Sequence, residues 1–134
     1  MNQSFAALLL AARRERQPVI ATALTDGAPS GQARQARLAQ QQGAGAAELR
    51  ADLLADPAQV RAALTAVRAA SSLPLLLTYR STTEGGKGAG HGQGYEDYLA
   101  SLLQLRPAVA AVDIEMACPA SKALVAEAKA VGYD

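Results

Sequence analysis

An intrachain disulfide is closed to this chain, because Cys118 is its only cysteine. One thiol forms no intrachain bridge and no cysteine-built metal site, and the scarcity fits a reducing cytoplasm. Charge of either sign is also scarce in net terms: 13 basic residues against 12 acidic ones leave a formal charge of +1. That balance gives no electrostatic basis for a nucleic-acid or anionic-membrane partner. No apolar run is long enough to cross a bilayer; the best, over residues 5–12, is far short of a span. Arg13, Arg14 and Arg16 follow that run instead of preceding it, the wrong order for a secretory signal. A soluble, helical N-terminal segment over residues 1–17 is expected.

There is little low-complexity sequence, no internal repeat and no hairpin signal. Aromatics are few, yet half of the residues are apolar, so the chain is not a disordered one. Its 134 residues suit one domain with a modest core. Short apolar runs at residues 18–24, 46–53, 73–80 and 108–116 read as strands. Between them lie amphipathic helices. The first is capped by Ser30, runs to about Gln42 and is stopped by Gly43 and Gly45. The second starts at Asp56-Pro57, an N-cap followed by a proline at the first helical position, and carries a stripe of Val60, Ala63, Leu64 and Val67. Tyr95, Leu99, Leu102 and Leu103 mark a third helix. Leu124, Val125 and Ala128 mark a fourth, started by Ser121 and ended by Gly132. Four alternations of strand and helix without hairpins imply βαβ units and a parallel sheet.

The strands are not uniformly apolar. Residues two apart in a strand share a face, which groups Glu48, Arg50 and Asp52, then Thr78 and Arg80, then Asp113 and Glu115. Three strands therefore carry charge on one face, toward their carboxyl ends, where parallel α/β folds bind ligands. Arg80, at the end of an apolar strand, either reaches solvent or faces such a site. One reading is a structural ion-pair network joining Glu48 to Arg50 or Arg80. The other is a binding site, because with Glu84 the group holds two cations and five anions, a formal −3. A cluster so acidic calls for further positive charge from a ligand, a metal or residues elsewhere. Oxygen ligands from Asp113, Glu115 and Glu48 suit a hard metal ion, but nothing in the spacing demands one.

Taken together, Glu48-Leu49-Arg50-Ala51-Asp52, Arg80-Ser81-Thr82-Thr83-Glu84-Gly85-Gly86 and Asp113-Ile114-Glu115 resemble the motifs of the type I 3-dehydroquinate dehydratases, in family order. The resemblance covers residues 18–134. It implies an α/β fold of parallel (β/α) units, the N-terminal half of a (β/α)8 TIM-type barrel. It implies a lyase of the shikimate pathway and aromatic amino acid biosynthesis, which dehydrates 3-dehydroquinate to 3-dehydroshikimate through a lysine Schiff base, with no cofactor and no metal. By resemblance Glu48, Arg50 and Arg80 bind substrate and Glu84 supports the catalytic histidine, whereas Asp113 and Glu115 take no specific role. A serine that contacts substrate in some members falls at Ala23.

A full barrel takes about 250 residues, so the strands bearing the catalytic lysine and histidine are expected beyond this half. The expected partner is a second copy or a complementing C-terminal half; the alternative function is a non-catalytic half-barrel module that self-associates or binds a polyhydroxy carboxylate. His91, the only histidine, lies in the glycine-rich loop after the third strand and reads as a mobile loop residue. Lys87 in the same loop lacks the burial that would lower its pKa, and Lys122 and Lys129 belong to the last helix. Gly85-Gly86-Lys87-Gly88 is not a phosphate loop: no glycine stands five residues before Gly86, and Gly88 replaces the Ser/Thr.

Overall fold

The computed structural model describes residues 4–106 and 108–133. Four strands, β1 (Ala21–Leu24), β2 (Ala46–Arg50), β3 (Leu75–Thr78) and β4 (Ala111–Val112), form one sheet in the order β1-β2-β3-β4. Every pairing is parallel. Helices α1 (Phe5–Glu15), α2 (Pro29–Gln41), α3 (Pro57–Ala70), α4 (Gln93–Leu103) and α5 (Ser121–Ala130) precede, connect and follow the strands. Consecutive strands are neighbours in sequence and in space, as in one side of a (β/α) barrel.

The register sorts the side chains. Ala23, Glu48 and Leu76 are paired across β1, β2 and β3, and Leu76 pairs with Ala111. Arg50 pairs with Thr78 one step on. The alternate positions Leu24, Ala47, Leu49, Leu75 and Leu77 are buried under the helices. They form one core with Val60, Ala63, Val67, Leu99, Leu103 and Leu124. At roughly 25 cal/mol per Å² of apolar area, this helix-side face supplies most of the drive to fold. The other face is the polar one.

The helix ends mostly follow local chemistry. Asp56 caps α3 by accepting from the Gln59 amide at 2.8 Å, with Pro57 at the first helical position. All four stripe residues of α3 are buried, as are Tyr95, Leu99, Leu102 and Leu103 of α4. Ser30 is not a cap. Pro29, whose fixed φ suits the first turn, begins α2 one residue earlier, and Asp26 secures the entry by accepting from the Ala28 amide. Gly43, at φ 89°, follows the last turn of α2. Gly45 instead stands just before β2, its amide donating to the Ile20 carbonyl. Arg68 of α3 reaches across to the strands' amino ends: its guanidinium donates to the carbonyls of Ala108 and Leu73.

The strands are shorter than their apolar runs. β2 ends at Arg50, and residues Ala51–Leu53 turn into a single 3₁₀ turn that still places Asp52 beside Arg50. The ladder around β4 is extended at either end by the Ala110 amide on Leu75 and the Asp113 amide on Leu77. Helix α1 buries none of its residues; Phe5 and Leu9 line an apolar groove with Val112, Ile114, Val125 and Tyr133 beside β4. Among the described residues no helix is long and apolar enough to cross a membrane.

Candidate active site

Two ion-pair groups occupy the carboxyl ends of the strands. In the first, Arg50 at the end of β2 meets Asp52 in a two-pronged contact, Nε to Oδ1 and Nη2 to Oδ2, each 2.8 Å. The Asp52 side chain is fully buried. It also accepts the Lys87 main-chain amide at 3.1 Å, which fastens the glycine-rich loop to the end of β2. Burial pushes the Asp52 carboxyl up, but the Arg50 guanidinium and the backbone donors outweigh it, so its pKa lies below the usual value. The hydrogen bond to Asp52 in turn raises Arg50. Glu48 has no side-chain hydrogen bond among the described residues and acts on Arg50 through charge alone. The Arg50 partner is therefore Asp52, not Glu48.

The second group centres on Arg80, just past β3. Its Nη2 lies 2.7 Å from Asp113, and its Nη1 lies 3.0 Å from Glu84 and 3.3 Å from Glu115. Glu115 is the most buried of these carboxylates and accepts the Ser81 amide at 2.9 Å and the Ser81 hydroxyl at 2.6 Å. Desolvation raises its pKa, but the Ser81 bonds, His91 and Arg80 prevail and hold it below the ordinary glutamate range. The glycines of the loop are required by this packing. A Cβ on Gly86 would overlap the Arg80 carbonyl, and Gly85 turns at φ 83°.

His91 is where the structure departs most from expectation. Far from swinging free, its ring points inward, with Nε2 2.6 Å from the second oxygen of Glu115 and its side chain only 12% exposed. The ring also lies tilted against Tyr95, with centroids 5.4 Å apart. The Tyr95 hydroxyl is pushed up to about 12 by burial and by the charge of Glu115. Lys87 stays exposed, as do Lys122 and Lys129 on α5. No strand periodicity points to His91, because it reaches the cluster from a loop.

Glu84, His91 and Glu115 bring one ligand atom each within 4.8 Å of one another. Arg80 stands against both carboxylates and already pairs their charge. What the arrangement offers is a half-exposed, charged surface with Glu48, Arg50 and Arg80 on it. Such a surface suits a small polar molecule bearing hydroxyls.

The type I 3-dehydroquinase family model matches residues 20–132. The chain belongs to that family. A 3-dehydroquinate dehydratase from Methanoregula boonei is 41% identical over 110 residues, covering 81% of this chain and 47% of the relative. In structure the chain resembles the 3-dehydroquinate dehydratase of Geobacillus kaustophilus (TM-score 0.73, 23% identity, 87% of this chain and 48% of that one). It also resembles the type I enzyme of Clostridium difficile solved with covalently modified comenic acid (TM-score 0.76, 20% identity, the same shares). Thus the chain spans about half the length of these relatives. The four described β/α units agree with half of their barrel.

Proposed function

We propose that residues 18–134 form the substrate-binding half of a 3-dehydroquinate dehydratase, with residues 1–17 as a separate N-terminal segment. The reaction is loss of water from 3-dehydroquinate to give 3-dehydroshikimate, within the shikimate pathway of the cytoplasm. The observation that carries this reading is the placement of Glu48, Arg50 and Arg80 together at the carboxyl end of a parallel sheet. Glu48 and Arg50 take substrate hydroxyls, Arg80 offers charge-assisted hydrogen bonds, and Glu84 supports the histidine that moves protons. The Schiff-base lysine, whose iminium draws electrons from the developing carbanion, belongs to the other half of the barrel.

The exposed apolar surface supports pairing with such a half. Ile20 is 63% exposed before β1, and the groove at Val112 and Ile114 beside β4 holds about 390 Å³. A complementing C-terminal half, or a second copy of the chain, closes these edges.

Calorimetric titration with 3-dehydroquinate tests the binding assignment. Glu48→Ala should weaken binding about tenfold or more with an unchanged thermal midpoint, because Glu48 holds no side-chain hydrogen bond among the described residues. Unaltered affinity would remove Glu48 from the site. Borohydride treatment with 3-dehydroquinate, followed by intact mass, should give no adduct on this chain alone. An adduct at Lys87 would place the Schiff-base chemistry here instead.

A further inference from the structure

Four groups approach the buried carboxylate of Glu115: the Ser81 amide and Arg80 at one oxygen, the Ser81 hydroxyl and His91 at the other. Because Glu115 is held ionised, the proton in the His91 contact belongs to the imidazole, which fixes Nε2 as the donor. The loop braces the ring: the His91 amide donates to the Thr83 hydroxyl at 3.0 Å, and the Ala89 amide donates to the Tyr79 hydroxyl at 2.8 Å. Arg80 has five N–H groups. Asp113 and Glu84 hold it at 2.7 and 3.0 Å, and its contact with Glu115 is the longest of the three at 3.3 Å.

We infer that His91 is a positioning residue of the ligand site, saturating Glu115 through Nε2–H so that Arg80 keeps donors for a polyhydroxy carboxylate. This rests on the binding role proposed above for Arg80. The Glu115 side chain is 1% exposed, so water does not readily replace a lost donor there. Remove the His91 donor, and Arg80, already 3.3 Å away, is the cation nearest to hand. Its guanidinium closes on Glu115, moves inward and offers less to a ligand.

Two measurements test this. His91 is the only histidine, so its imidazole nitrogens are assigned by NMR without ambiguity. In the neutral ring the Nε2–H tautomer is expected; the Nδ1–H tautomer would overturn the inference. In titrations with 3-dehydroquinate, His91→Leu should lose about tenfold in affinity. His91→Gln, whose side-chain amide also donates, should recover most of it, with thermal midpoints separating binding from folding. If the wild-type chain binds and His91→Leu binds equally well, the inference fails while the binding role of the site stands. Equal loss in both variants also sinks it. No binding by a folded wild-type chain overturns both.

Discussion

Glu115 and Asp52 dominate the chemistry at the scale of single residues. Both carboxyls have lowered pKa values in the fold, so the folded state binds protons less readily than the unfolded chain does. Their stabilisation is full above the reference values of 4.5 and 3.8 and drains away as pH falls through the lower folded values. Thermal midpoints should therefore drop on the acid side, and Glu115→Gln should flatten part of that drop. An unchanged acid limb in the variant would contradict the assignment. Arg50→Ala strands the buried Asp52 charge and should cost about 2–4 kcal/mol in urea unfolding. That Arg50 and Arg80 belong to the charged face was legible because strand alternation assigns a side chain its face. His91 was not, since a glycine-rich loop has no period from which direction can be read.

Elements obey shorter-range rules. Asp56 and Pro57 mark the start of α3 in the sequence itself, and the structure uses both. Asp56→Ala should lower stability by about 1 kcal/mol, measured by chemical denaturation, through loss of the cap on the Gln59 amide. Ser30 misled because a capping residue type next to a proline is ambiguous, and the proline took the first turn. Strand ends were equally hidden. The apolar alternation continues through residues 51–53, but the chain turns there to give Asp52 to Arg50. Where a ladder stops depends on a partner strand. Arg68 shows the same limit: its role at the carbonyls of Leu73 and Ala108 joins segments far apart in sequence.

At the scale of the molecule the sheet has two edges, β1 and β4, and a charged face with half-exposed residues. Sedimentation velocity on the chain alone should show association that grows with concentration, and Ile114→Lys, placing a charge in the groove beside β4, should reduce it. A wild-type chain that stays monomeric across the range would argue against self-pairing. The sequence by itself determined the four β/α alternations, the buried stripes of α3 and α4, and the family, because periodicity and motif spacing are local properties of the chain. Only the tertiary structure decided which charges meet. It paired Arg50 with Asp52, gathered Asp113, Glu84 and Glu115 around Arg80, and turned His91 inward onto Glu115. Ion-pair partners are chosen by distance in space, and distance is set by how the helices and loops pack, which no single stretch of sequence records.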